Sequence, residues 1–284
     1  MSLFFIVIIA LGYVFSYVYD SPAILYIAVI FSVGMNIVSY WYSDTITLKT
    51  SGAVPADKDR YTDLYEVTEN LAITAGLPMP KLYIVNDPAP NAFATGRDKD
   101  HAAIAVTSGL LSMLDRNELE GVISHEMSHI GNRDTLLQTI VVVLVGFIAL
   151  LSNFFLRMGM FRGGNRRDNG NIQLIGLAIG IILAILSPIA AVLIQLAISR
   201  KREFLADASG ALLTRYPEGL ANALRKISAY SGTTLMHASH ATAHLYISDP
   251  YPDTRTKKKS GLAKLFMTHP PVEERIAALL GQKV

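Results

Sequence analysis

Four stretches of this chain are apolar for long enough to cross a bilayer, and no other feature restricts its possible folds as strongly. They run from Ser2 to Tyr19, Ala23 to Tyr42, Leu136 to Leu156 and Leu174 to Ile198, each close to the roughly 20 helical residues that a span requires. With 51% of residues hydrophobic and 17% charged, the composition also leans towards a membrane protein. None of the four runs contains Asp, Glu, Lys or Arg, so the ion or proton pathway of a transporter has no basis here. The first run lacks a positive amino-terminal region, and the second follows at once across Asp20, Ser21 and Pro22. This reads as an uncleaved helical hairpin. Tyr40, Trp41 and Tyr42 close the second run with headgroup-level aromatics, while Asn36 and Asn153 are expected to hydrogen-bond between helices. A net charge of +2 is too small and too dispersed for nucleic-acid binding. The absence of cysteine removes disulfides, thiolate metal sites and thiol catalysis.

Between the second and third runs the patterning is that of a soluble domain. A helix is predicted over Tyr61 to Ala75, ended by Gly76 and Pro78, and a strand over Lys81 to Val85. Asn91 to Thr95 and Ala102 to Val106 are β-prone and flank the turn-rich Gly96, Asp98 and Asp100, as in a hairpin. A second helix starts near Asp115, where Asp115 and Glu118 have capping-box spacing, and carries Leu119, Val122, Ile123, Met127 and Ile130 at helical intervals. After the fourth run, Glu203 to Leu213 and Gly219 to Tyr230 are helical in pattern. Asp253 to Lys264 reads as a solvated basic connector, with contact to anionic headgroups as the second reading. Arg275, four residues after Pro271, is expected to pair with an acid in a structural salt bridge.

His125-Glu126-Met127-Ser128-His129 carries the chemistry. Four residues along a helix bring both imidazoles to one face, where they can reach one ion, with Glu126 beside them. Zinc accepts imidazole and carboxylate ligands, and a catalytic zinc needs three protein ligands, leaving a position for water. An adjacent carboxylate can then take a proton from that water, a role that fits Glu126 as general base. The extended pattern of the metzincins is missing, because Asn132 and Thr135 stand where its glycine and histidine would be. A third ligand must come from elsewhere. Glu203-Phe204-Leu205-Ala206-Asp207 offers Glu203, with Asp207 on the same helix face placed to accept a hydrogen bond from a ligand imidazole. The competing reading is an ordinary exposed helix with an acid pair. His240 and His244 repeat the histidine spacing, with His237 nearby, but Ala241 replaces the glutamate, and these read as surface or packing residues. A protein that uses zinc only for stability, as a membrane chaperone or scaffold, would not need Glu126.

Three motifs, His125 to Asp134 (HEMSHIGNRD), Ser199 to Gly210 (SRKREFLADASG) and Thr268-His269-Pro270-Pro271, resemble those of the HtpX membrane metalloproteases and, more distantly, the CAAX prenyl proteases. Asn91 to Gly96 (NAFATG) matches as well, so the similarity covers nearly the whole chain. The resemblance implies a mainly helical α+β fold: four transmembrane helices and a zincin-like (gluzincin) cytoplasmic catalytic domain with a small sheet. It implies one zinc per chain held by His125, His129 and Glu203, Glu126 as base and Asp207 behind a ligand imidazole. It makes Asn91, Ala92, Phe93, Ala94 and Thr95 an edge strand able to bind an extended polypeptide substrate by main-chain hydrogen bonds, with an ordinary strand of the sheet as the alternative reading. His269 would donate to the oxyanion or occlude the resting site. The implied activity is endopeptidase cleavage of damaged or misfolded membrane proteins under stress, at a prokaryotic inner membrane, with the lipid bilayer as a constant partner. Self-cleavage in the exposed segment from Thr254 to Gly261 is a further expectation.

The corresponding division is a hairpin at 1–43, a first catalytic segment at 44–134, two further membrane helices at 135–198 and a second catalytic segment at 199–284. His125 and His129 precede the third run and Glu203 follows the fourth, so one ion can bind all three only if both soluble segments share a side. Those segments hold every Lys and Arg except Arg157, Arg162, Arg166 and Arg167. The positive-inside rule makes that side cytoplasmic, although the four remaining arginines then lie outside against the rule, and a tilted or partly embedded hairpin of the third and fourth runs is the alternative reading.

Overall fold

The computed structural model describes residues 2–18, 21–136, 200–230 and 270–282. The first two apolar runs form α1 (Ser2–Val18) and α2 (Pro22–Thr50), packed as a hairpin in which a side chain at Gly12 would collide with the Ala28 Cβ. Small residues of this kind let apolar helices approach closely. Among the described residues, Pro22–Tyr42 is the one helical stretch long and apolar enough to cross a membrane. Asn36 departs from expectation: its Nδ2 donates to the Ser32 carbonyl one turn back at 2.7 Å, within its own helix. Beyond Leu136 the third run, together with the fourth run, Asn153, His237, His240, His244, the basic connector and His269, lies outside the described residues.

α2 continues past Tyr42 to Thr50 and lands on a sheet. The strands are β1 (Ala53–Pro55), β2 (Lys81–Val85), β3 (Ala92–Gly96) and β4 (Ala102–Thr107), in the order β1-β2-β4-β3. The hairpin pairing of β3 with β4 is as expected from sequence. β1 was not expected, being only three residues long and ending in proline, which suits an edge position. Side chains alternate between two faces. Leu82, Ile84, Ala92, Ala94, Ala102, Ile104 and Val106 enter the main core. Val85, Phe93, Ala103 and Ala105 face the other way, into a smaller cluster with Leu48 of α2.

The main core is closed by α3 (Thr62–Ala75), α5 (Arg116–Gly131) and α7 (Pro217–Ser228). α3 stops where Gly76 turns left-handed at φ 63°, a conformation that costs glycine nothing. A short α4 (Ser108–Met113) leads into α5. α6 (Arg200–Thr214) crosses α5, and α8 (Val272–Leu279) brings Val272, Ile276 and Leu279 against the core. Residues on both sides of 137–199 therefore share one hydrophobic interior. At the α5–α6 crossing, a Cβ on Gly210 would stand 3.1 Å from the His125 amide nitrogen, so this glycine allows the approach that brings Glu203 and Asp207 to His125.

Candidate metal centre

α5 is held at its start by the expected capping box. The Glu118 amide donates to Asp115 Oδ1 at 3.0 Å, and the Asp115 amide donates to Glu118 Oε2 at 2.9 Å. Such a cap is worth about 1 kcal/mol. From Leu119 to Ile130 nearly every residue of α5 is buried, including those of a polar stripe that faces α6. Burying such a stripe is costly unless each polar atom finds a partner. Ser124 and Ser128 satisfy their hydroxyls on carbonyls of their own helix, at 2.7 and 2.8 Å. His125, Glu126 and His129 meet carboxylates and backbone from other elements.

The two imidazoles point Nε2 at each other across 3.2 Å. Glu203 Oε1 lies 3.6 Å from His129 Nε2, and Glu203 Oε2 lies 3.9 Å from His125 Nε2. Each of the three residues offers one donor atom within 4.8 Å of the others, and all three are buried. Behind the imidazoles, His125 Nδ1 faces Asp207 Oδ1 at 2.9 Å and His129 Nδ1 faces Asp134 Oδ2 at 3.2 Å. With a proton on each Nδ1, both Nε2 lone pairs enter the same space, which calls for a cation between them. Donors on a tetrahedral zinc, with bonds of about 2.0–2.1 Å, stand roughly 3.3–3.4 Å apart. The donor set and its spacing thus fit a zinc ion. Without one, burial pulls the His129 pKa down, but its hydrogen bond to Asp134 and the Glu203 and Glu126 carboxylates push it up to about 9.

Glu126 is buried on the neighbouring face of α5. Burial raises its pKa, the two imidazoles oppose that rise, the Glu203 carboxylate adds to it, and the Ala94 N–H donates to its carboxylate. That amide belongs to the outer edge of β3. The Thr107 N–H donates to the Asn91 carbonyl, so in the antiparallel register Asn91, Phe93 and Thr95 turn their backbone towards β4, while Ala92, Ala94 and Gly96 turn theirs away. Among the described residues no strand pairs with that outer side of β3.

Sequence reasoning singled out His125, Glu126, His129, Glu203 and Asp207, and the fold brings all five together. It missed the place of two arginines and Asp134. Arg275 Nε and Nη2 donate to Asp207 Oδ2 and Oδ1 at 2.8 and 2.7 Å, and its Nη1 lies 4.0 Å from Glu203 Oε2. The expected ion pair of Arg275 is therefore inside the site, with the arginine 0% exposed. It helps hold the Asp207 pKa down, against burial, to about 2. Arg202 Nη1 donates to Asp134 Oδ1 at 2.6 Å. The signal for Asp134 was its place five residues after His129, just beyond the helix end.

The chain matches Peptidase family M48 over residues 58–283. It is 48% identical over 282 residues to the protease HtpX homolog of Caldanaerobacter subterraneus subsp. tengcongensis, covering 98% of this chain and 91% of that protein. To the protease HtpX homolog of Desulfatibacillum aliphaticivorans it is 49% identical over 259 residues, 90% of this chain and 80% of the relative. The crystal structure of S. mikatae Ste24p shares the fold with a TM-score of 0.54 at 20% identity, over 94% of this chain but only 61% of Ste24p. A matching family over most of the chain, near-full-length protease relatives and a buried His-His-Glu group of metal-binding geometry agree: the chain belongs to peptidase family M48 and is a metallopeptidase of the HtpX type.

Proposed function

We propose that the protein is a membrane-embedded zinc endopeptidase that cleaves peptide bonds in damaged or misfolded membrane proteins. One observation carries the reading: three buried donors converge beside a carboxylate that is hydrogen-bonded to the outer edge of a strand. His125, His129 and Glu203 hold the zinc, and Asp207 keeps the His125 proton on Nδ1. The bound ion supplies Lewis acidity that makes water acidic enough to ionise near neutrality. Glu126 accepts the proton, its basicity raised by burial, and passes it to the leaving amine. An extended substrate lies along Asn91, Ala92, Phe93, Ala94 and Thr95, using outward main-chain groups that recognise no particular side chain. His269 completes the site as oxyanion donor or gate.

In this reading four spans cross the membrane, the segments 44–134 and 199–284 form one cytoplasmic catalytic domain, and both termini are cytoplasmic. Self-cleavage within the segment from Thr254 to Gly261 follows from a site that accepts many sequences. Single cysteines introduced at Gly164 and Gly261 report the orientation: an impermeant thiol reagent on intact cells labels position 164 and spares 261. The mechanism is tested with Glu126→Gln, which keeps about one zinc per chain and loses chelator-sensitive hydrolysis of unfolded casein. Full activity in that variant overturns the assignment of Glu126.

A further inference from the structure

A second carboxylate and arginine touch the centre where the chain leaves it and where it returns. α5 ends at Gly131. Arg133 then takes a left-handed φ of 61°, and the turn carries the Asp134 side chain back beneath His129, where Oδ2 meets Nδ1 at 3.2 Å. The other oxygen of Asp134 accepts from Arg202 Nη1 at 2.6 Å. Arg202 stands in the first turn of α6, immediately before Glu203. The Asp134 side chain is 4% exposed and that of Arg202 is 40% exposed.

We propose that Asp134 and Arg202 are a positioning pair for His129, an inference that rests on the metal-binding role proposed above. Asp134 accepts a hydrogen bond from the His129 Nδ1–H, which keeps that proton on Nδ1 and leaves the Nε2 lone pair facing His125 and Glu203. Arg202 holds the carboxylate in that orientation. Each oxygen of Asp134 serves one partner, so rotating the carboxylate breaks both bonds together. A left-handed non-glycine residue costs on the order of 1 kcal/mol and persists where the surrounding structure requires it. Here it turns Asp134 inward. Because Arg202 and Glu203 are adjacent, the pair also ties the element carrying the third donor to the end of the helix carrying the first two. The third and fourth apolar runs lie in sequence between the two paired residues, so the pair joins the points where the chain departs for them and comes back.

The test uses the full-length protein in detergent, with zinc affinity measured by chelator competition and the visible absorption spectrum recorded after cobalt substitution. Asp134→Asn keeps the shape but not the charge, and a 10- to 100-fold loss of zinc affinity, on the order found for partners of ligand histidines, is expected with an altered cobalt spectrum. Arg202→Gln, at a partly exposed position, weakens zinc in the same direction by a smaller factor. Arg202→Lys restores most of the affinity. Wild-type affinity and spectrum in Asp134→Asn overturn the proposal. So does a loss of affinity matched by an equal loss of metal-free helix content, which makes Asp134 a folding residue. If the wild-type chain itself takes up neither zinc nor cobalt, the metal-binding role falls first.

Discussion

Two arms run outward from the paired imidazoles, built from the same residue types and set in different surroundings. His125, Asp207 and Arg275 form a dry arm, with both charged side chains no more than 3% exposed and joined by two hydrogen bonds. His129, Asp134 and Arg202 form a rim arm, in which one hydrogen bond reaches an arginine 40% exposed. In the dry arm neither charge has water to fall back on, so the fold depends on the pair staying whole. In the rim arm solvent can replace the arginine, and what is lost is aim more than stability. One arm anchors the centre and the other adjusts it.

The sharpest way to break this comparison is to remove each arginine in turn. Arg275→Met strands Asp207 in the interior, and metal-free protein should lose about 3–5 kcal/mol of stability in a denaturant or thermal titration. A loss under 1 kcal/mol would mean that water reaches Asp207. Acid tests the same arm from the other side. The folded Asp207 pKa lies at about 2, below the ordinary aspartate value of 3.8, so the stability it contributes is complete above about pH 4 and is lost as pH falls through 2. The gap between wild type and Arg275→Met should therefore narrow by on the order of 2 kcal/mol between pH 4 and 2. A constant gap would show that the loss in the variant is one of packing.

On the rim arm the effects are smaller. Arg202→Met should cost no more than about 1 kcal/mol of metal-free stability, and a cost equal to that of Arg275→Met would erase the distinction between the arms. Arg133→Gly should gain up to about 1 kcal/mol by relieving the left-handed φ of 61°, with zinc affinity unchanged. Weaker zinc binding in that variant would show that the turn, and not only Asp134, sets the His129 ring.

Much of the site was legible because it is local. His125 and His129, or Glu203 and Asp207, meet whenever their segment is helical, since four residues bring side chains to one face. The capping box of α5 and the pairing of β3 with β4 also follow from a few neighbouring residues. β1 escaped notice because three residues are too few to show a period. Asn36 was expected to bond across helices, yet its amide donates to the carbonyl of Ser32 one turn back in its own helix, a partner that helical geometry always places within reach.

The arginines mark the boundary between what a pattern can specify and what a fold must decide. By itself the sequence determined the family, the candidate donor residues and most of the elements that carry them, because each depends on residue type and short spacing. Only the tertiary structure decided that Arg275, 68 residues beyond Asp207, is enclosed with it while Arg202 keeps one side in water. Burial is a property of everything packed around a charge, and it sets the strength of an ion pair through the surrounding dielectric. No spacing along the chain encodes that environment.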